Sequence, residues 1–146
     1  MNNLLEQARA KLKLTFLSYG KKVNHVSIDE IPKVWQKFGS KGDEWINVDF
    51  PESENSSGCI YIAQEGSIFD PHIHDNSAEH MTVLNVDGEM EVVTNKWTKT
   101  VKYPDSIVID KGVPHAIIFK KETKLMTIWH PRFEKGWNAK FIKHED

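Results

Sequence analysis

The twelve residues from Phe69 to His80, FDPHIHDNSAEH, contain three of the chain's seven histidines and one glutamate. His72 and His74 are two residues apart, and residues with that spacing on an extended strand point to the same face of a sheet. Two imidazoles side by side can bind one metal ion. The pair alone is weak evidence, since the same spacing arises by chance at protein surfaces. The stretch therefore predicts part of a metal site that residues elsewhere must complete.

Candidate ligands occur on two further segments. Glu79 and His80 follow the connection DNSA, which can turn the chain and bring a third ligand in from a neighbouring strand. The sequence DKGVPH places His115 after a Gly-Val-Pro turn. Histidines with a carboxylate suit iron, manganese, nickel, cobalt, copper or zinc, whereas calcium and magnesium prefer oxygen ligands. The candidate metal ligands are His72, His74, Glu79, His80 and His115.

From Gly58 onwards the chain consists of short segments rich in β-branched and aromatic residues, separated by turns. The segments, in order, are CIYIAQ, MTVLNV, EMEVVTN, TKTVKY, SIVID, AIIFKK and KLMTIWH. Closely spaced short strands without helices between them indicate an antiparallel sandwich or barrel. The sequence VDGE, at 86–89, predicts a tight hairpin with Gly88 at a position that needs a positive φ.

The N-terminal part has a different pattern. Apolar residues recur at helical spacing over residues 3–18, which predicts an amphipathic helix. Residues 27–39 predict a short helix or turn that ends near Gly39. We therefore divide the chain into a helical N-terminal segment, residues 1–44, which packs on the barrel, and a β-barrel domain, residues 45–146.

Composition narrows the class of protein. The chain has 146 residues and a net charge of −2, so nothing suggests a nucleic-acid partner. It has no apolar run long enough to span a membrane, and charged residues interrupt the N-terminus where a signal peptide would be apolar. Cys59 is the only cysteine, which excludes an intramolecular disulfide and favours a cytoplasmic location. Cys59 itself is expected to be a small buried residue.

The histidine-rich stretch resembles the first motif of the cupin superfamily. That motif has a glycine, then a His-x-His pair, a glutamate and a second glycine. Gly66, His72, His74, Glu79 and Gly88 match it in order, although eight residues separate Glu79 from Gly88 where the motif has six.

The second cupin motif corresponds to residues 104–119, where Gly112, Pro114 and His115 match it. Three residues depart from it, standing where glycine, proline and asparagine are usual: Pro104, Asp110 and Phe119. The resemblance covers roughly residues 58–131.

The two extra residues in the first motif leave the third ligand open. Counting forward from His74 selects Glu79. Counting back from Gly88 reaches Met81, a poor ligand for such an ion, and a one-residue bulge would present His80 instead. Adjacent strand residues face opposite sides, so only one of Glu79 and His80 is expected to bind.

The resemblance implies a mainly β protein, an antiparallel β-barrel of the jelly-roll type with a divalent transition metal such as iron, manganese, nickel or zinc at its mouth. It implies an enzyme acting on a small oxygen-rich substrate, by dioxygenation or by Lewis-acid lyase, isomerase or decarboxylase chemistry. The alternative is a metallo-cupin that binds or senses a small ligand without turnover. A homodimer is expected, without a membrane partner.

Three further residues are candidates for lining the cavity. Tyr61 is a candidate proton donor. His130, at the end of a strand, is a second candidate catalytic residue. Arg132 is a candidate partner for a substrate carboxylate, although a salt bridge at the rim is the more ordinary role.

Overall fold

The structure is a computed structural model, and it describes residues 23–26, 36–38, 43–48, 56–131 and 139–142. The described residues form twelve β-strands and contain no helix that could span a membrane. The strands are β1 (Val23–Val26), β2 (Gln36–Phe38), β3 (Asp43–Val48), β4 (Ser57–Ala63), β5 (Ile68–His74), β6 (Ala78–Val83), β7 (Glu89–Thr94), β8 (Thr98–Lys102), β9 (Ser106–Ile109), β10 (His115–Phe119), β11 (Thr123–His130) and β12 (Ala139–Ile142).

The strands form two six-stranded antiparallel sheets. Sheet 1 has the order β1-β12-β5-β10-β7-β8, and sheet 2 has the order β2-β3-β4-β11-β6-β9. From β4 onwards the chain changes sheet at every connection except the β7–β8 hairpin. Such repeated crossing between two sheets is the jelly-roll pattern. The predicted fold class, a mainly β protein with an antiparallel jelly roll, is therefore confirmed.

The period of two along each strand places the core between the sheets. On β11, Leu125, Thr127 and Trp129 are buried, whereas Lys124 and His130 are exposed. Side chains of successive strand residues point to opposite faces, so one set of alternate residues fills the interior. The segments that the sequence predicted as strands from residue 59 to residue 130 overlap β4, β6, β7, β8, β9, β10 and β11, although β6 begins three residues before its predicted segment.

The register of the strands arranges the interior side chains of sheet 2 in three layers. Glu79 lies opposite Trp129 in the upper layer. The middle layer contains Cys59, Thr127 and Met81, and the lower layer contains Tyr61, Leu125 and Val83. Sheet 1 faces these layers with His115 beside His72, then Ile117 beside Phe69, then Phe119 beside Met90. The upper layer is therefore polar and the two layers below it are mainly apolar.

The N-terminal part agrees only in part with the prediction. Gln36–Phe38 forms strand β2, not the end of a short helix or turn, because it pairs with Asp43–Trp45 of β3. Within residues 1–44, Val23–Val26 also forms a strand, at the edge of sheet 1. The amphipathic helix over residues 3–18 lies outside the described residues. The division of the chain at residue 44 stays a prediction.

The prediction of a tight hairpin at VDGE, residues 86–89, is wrong. β6 belongs to sheet 2 and β7 to sheet 1, so residues 84–88 carry the chain from one sheet to the other. Among the described residues, positive φ angles occur at Gly66 and Gly112, and Gly88 does not have one. Gly88 is required for space, since a Cβ there would overlap Asn85 Oδ1 and lie 2.6 Å from Val83 Cγ1. The Asn85 side chain cannot easily move away, because it donates to Glu122 O and accepts from Lys124 N.

We expect Gly88→Ala to lower the free energy of unfolding by about 2 kcal/mol, because the added methyl group overpacks a crossing whose neighbours are fixed. Urea denaturation of the purified variant measures this change. Asp87→Ala, at the exposed neighbouring position, is the matched control and should change stability by no more than about 0.5 kcal/mol. Equal stability of the Gly88→Ala variant and wild type would contradict the packing argument.

Candidate metal centre

Strand β5 supplies two histidines through an irregularity in its pairing with β10. His72 lies opposite His115 and Phe69 lies opposite Ile117, so β5 has one residue more than β10 between these pairs. This β-bulge contains Pro71, and it lets both Phe69 and His72 face the interior. His74 follows on the same face as His72, and both are 2% exposed. The predicted sharing of one face by His72 and His74 is observed.

The DKGVPH turn places His115 beside these two histidines. Gly112 has a φ of 76° and its N–H donates to the carbonyl of His74 at 2.8 Å. A positive φ is readily adopted by glycine, so the turn can close against the end of β5. His115 then begins β10 with its ring centroid 4.2 Å from that of His72.

Strand β6 supplies Glu79 from the opposite sheet. The chain crosses from sheet 1 to sheet 2 within residues 75–77, and Ser77 fixes this crossing by donating to the carbonyl of Pro131 at 2.7 Å. Glu79 faces inward and is 5% exposed, whereas His80 is exposed on the outer face of sheet 2. The structure therefore brings Glu79 and not His80 to the other candidates.

The bulge in β6 that would have presented His80 is absent from the described pairing. β6 pairs without interruption with β11 and with β9, and Met81 is completely buried in the core. The residues that lengthen the first motif lie in the crossing at 84–88 instead. Counting back from Gly88 fails for this reason, because the count passes through a connection whose length does not affect strand register.

Four side chains from three strands thus converge: His72, His74, Glu79 and His115. One potential ligand atom from each lies within 4.8 Å of the others, and all four residues are buried. Glu79 Oε1 is 2.9 Å from His115 Nε2 and 3.5 Å from His74 Nε2. The ring centroids of His72 and His74 are 5.0 Å apart. Three imidazoles and one carboxylate are a donor set for a divalent transition metal.

The buried carboxylate is ionised in this setting. Burial alone raises the pKa of Glu79, but electrostatic attraction by His74 and hydrogen bonding with His115 and His74 outweigh burial. The pKa of Glu79 therefore lies well below its usual range. Burial and the charge of Glu79 together raise the pKa of Cys59 far above its usual value, so this buried thiol stays protonated.

The hydrogen bonds of His115 show that the cluster fits a cation. Its Nδ1 lies 2.8 Å from the carbonyl of Val113, which can only accept, so Nδ1 carries a proton. In the neutral ring Nε2 is then a bare acceptor, yet it lies 2.9 Å from a carboxylate oxygen of Glu79. Two acceptors face each other at that distance only when a proton or a metal ion lies with them. The bond to Val113 is also the usual orienting contact of a metal-binding histidine.

The remaining candidates lie elsewhere. Tyr61 is buried in the lower layer, and its hydroxyl donates to Asp43 Oδ2 at 2.9 Å. His130 is exposed at the end of β11, with Nδ1 3.2 Å from Ser56 Oγ. Neither belongs to the metal cluster. Arg132 lies outside the described residues. Asp43, which fixes Tyr61, was not recognised from the sequence.

A cavity of about 30 Å³ extends from the cluster into the barrel. Such a volume holds roughly two water-sized groups. His72, Glu79 and Trp129 form its upper end, and side chains of the middle and lower layers form the rest. The lining residues below the cluster are Cys59, Tyr61, Phe69, Met81, Ile117, Phe119, Leu125 and Thr127. The ligand atoms therefore open onto a small, mainly apolar space.

Comparison with solved structures agrees with this architecture. KdgF from Halomonas sp. is 17% identical with a TM-score of 0.59, covering 74% of this chain and 94% of that one. An RmlC-like cupin from Shewanella frigidimarina is 18% identical with a TM-score of 0.55, covering 80% and 91% respectively. Acetylacetone dioxygenase from Acinetobacter johnsonii is 20% identical with a TM-score of 0.51, covering 73% and 68%. No family model and no curated protein matches the sequence.

The fold and the cluster define a class of protein: a double-sheet antiparallel barrel with buried imidazoles and a carboxylate near one end. The chain has the same fold as these cupin structures. Sequences that differ this much share the fold, and a shared fold does not transfer an activity.

We expect Glu79→Ala to weaken metal binding by more than roughly 100-fold, since even losing an outer contact to a ligand costs 10- to 100-fold. His80→Ala is the matched control at the adjacent, exposed position and should bind as wild type does. Titration of both variants with cobalt, followed by its visible absorbance, measures the difference. If only His80→Ala weakened metal binding, β6 would have, in solution, the register in which His80 and not Glu79 faces the metal cluster.

We expect acid to release the ion through the imidazoles. Because the folded-state pKa of Glu79 is lowered, its contribution to stability is fully present above its ordinary value and declines only as the pH falls below about 4.3. Imidazole binds a metal ion only in its neutral form, so occupancy should fall below roughly pH 6 as protons compete with the ion. Metal content after equilibration between pH 8 and pH 4 measures the midpoint. Release that begins only below pH 4 would assign it to the carboxylate instead.

Proposed function

We propose that the protein is a metal-dependent enzyme in which His72, His74, Glu79 and His115 bind one divalent transition metal ion. The observation that supports this proposal is the convergence of four buried donor atoms within 4.8 Å. Burying a carboxylate next to three imidazoles has a desolvation cost that a bound cation offsets. An ion of this class can have up to six ligands, so four protein ligands leave positions for a substrate.

The ion would supply Lewis-acid chemistry and, if it is iron, redox chemistry with dioxygen as well. The protein's own residues then have defined tasks. His115 is held in one orientation by its bond to Val113, and Ser77 fixes the crossing that presents Glu79. The apolar layers below the cluster exclude bulk water, which strengthens electrostatic interactions at the ligands.

The substrate is a small molecule with an oxygen donor that reaches the ion. Two reaction classes suit such a site: dioxygenation, and lyase, isomerase or decarboxylase chemistry at a carbon next to the bound oxygen. Acetylacetone dioxygenase has the same fold, which makes acetylacetone a reasonable first probe of the dioxygenase class. The identity of the native ion separates the classes further, since redox-active iron favours the first.

We expect protein purified without added metal to contain about one transition metal ion per chain. His72→Ala and His115→Ala should each abolish that content, because each removes one of four ligands. Elemental analysis of the three proteins measures the stoichiometry. His80→Ala again serves as the control that should keep its ion. Wild-type protein that neither contains nor binds a transition metal would overturn the proposed function.

An enzyme also requires an open position on the ion, which a closed-shell binding protein lacks. Addition of azide to the cobalt-loaded protein should therefore change the visible absorbance of cobalt. An unchanged spectrum would indicate a closed shell and favour binding without turnover. Oxygen uptake by the iron-loaded protein with acetylacetone, absent in His115→Ala, would place the reaction in the dioxygenase class.

Three expectations about the protein's surroundings stay predictions: a homodimer, a cytoplasmic location, and the absence of nucleic-acid and membrane partners. We propose them on composition and on the resemblance alone. Sedimentation velocity of the purified protein would decide the first.

A further inference from the structure

Another buried carboxylate, besides Glu79 and Glu91, lies at the opposite end of the barrel from the metal cluster. Asp43 is 1% exposed and is hydrogen bonded by three neutral donors. Its Oδ2 accepts from the hydroxyls of Tyr61 and Ser67, and its Oδ1 accepts from the N–H of Gln64 at 2.7 Å. The two oxygens thus anchor the turn between β4 and β5 and hold the Tyr61 hydroxyl.

The Tyr61 ring is also held by its aromatic neighbours. It stacks on Phe119 with a centroid distance of 5.6 Å and an interplanar angle of 15°. Phe69 packs against it at 5.7 Å in a tilted arrangement. The ring is therefore fixed at its hydroxyl by Asp43 and on its sides by two phenylalanines. The Tyr61 side chain therefore forms a rigid wall of the cavity at its lower end.

The strand register gives the depth of this wall below the metal cluster. Glu79 is in the upper layer, and Tyr61 and Leu125 are opposite each other in the lower layer. Successive layers are two residues apart along a strand, which is about 7 Å. The middle layer, with Cys59 and Thr127, lies between. A ligand that reaches from the cluster into the barrel therefore has about one layer of space before it meets Tyr61.

The charge of the metal-loaded cluster determines which chemical group of the ligand contacts the ion. A divalent ion with the single carboxylate of Glu79 keeps a net positive charge in a buried, mainly apolar space. An anionic oxygen would neutralise that charge, whereas the side chains below favour a hydrocarbon chain.

Resting on the proposed function, we propose that the natural ligand is a short aliphatic carboxylate, and that Tyr61 and Leu125 limit the length of its chain. The carboxylate binds the ion and the chain lies in the middle layer. Tyr61 is then a residue that determines specificity.

The experiment uses full-length protein loaded with cobalt and a series of straight-chain carboxylates from acetate to octanoate. Visible absorbance gives the dissociation constant of each. For wild type we expect affinity to rise about fourfold per methylene over the first members, as expected for methylene burial, and to fall once the chain reaches Tyr61. The best ligand should be about the length of propionate, which has two carbons beyond its carboxylate, since the cavity holds roughly two water-sized groups beyond the head.

Substitutions in the lower layer test which residues limit the length of the ligand's chain. Tyr61→Ala should move the best ligand to a chain two or more carbons longer, and Leu125→Ala to one at least one carbon longer. Tyr61→Phe keeps the ring and should leave the best length unchanged. Val83→Ala is the matched control, because Val83 lies in the same buried layer but does not line the cavity. Leu125→Ala retains the Asp43 hydrogen bonds, so it tests the limit if Tyr61→Ala does not fold.

The outcomes separate the two proposals. Wild type that does not bind cobalt overturns the proposed function and this inference with it. Wild type that binds cobalt, but shows no dependence of affinity on chain length, overturns only the inference. An optimum that stays fixed in Leu125→Ala, or that shifts equally in Val83→Ala, likewise overturns the assignment of Tyr61 and Leu125 as the limit.

Discussion

The constraint on which the site depends is the burial of a carboxylate opposite imidazoles from another sheet. Glu79 comes from sheet 2, whereas His72, His74 and His115 come from sheet 1, and their ligand atoms meet between the sheets. An unpaired charge in an apolar interior is expensive, so the sheets must hold these groups close together. The short crossing at 75–77, the β5 bulge and the Gly112 turn all contribute to that approach. These three features are each formed by a few consecutive residues, but the contact between the two sheets determines where they occur.

The sequence predicted the parts of this structure that depend on period and residue type. Strands β4 and β6 to β11 follow from alternation and β-branched residues, and His72 with His74 follows from a spacing of two. The choice between Glu79 and His80 could not be made by counting, because the count from Gly88 passes through a crossing of variable length. The same limit explains the VDGE error. A hairpin signal is local, but the membership of a strand in one sheet or the other is decided by distant pairing.

The role of Tyr61 shows a second limit. Its hydroxyl partner, Asp43, is 18 residues away along the chain and begins β3. No spacing rule connects the two, and a division of the chain at residue 44 separates them. Only the antiparallel pairing of β3 with β4 brings the carboxylate to the hydroxyl. A tyrosine that the sequence suggests as a proton donor is thereby committed to donating its proton to a structural partner.

Two of the buried carboxylates, Asp43 and Glu79, differ in the kind of partner they have. Asp43 accepts from two hydroxyls and a backbone N–H, all of which are neutral donors that carry their own protons. Glu79 instead faces His115 Nε2, which is an acceptor in the tautomer that the bond to Val113 selects. A carboxylate that faces an acceptor requires a proton or a metal ion between the two atoms, whereas one surrounded by donors does not. The same residue class therefore forms a structural anchor at one end of the barrel and, at the other end, part of a donor set that could hold a metal ion.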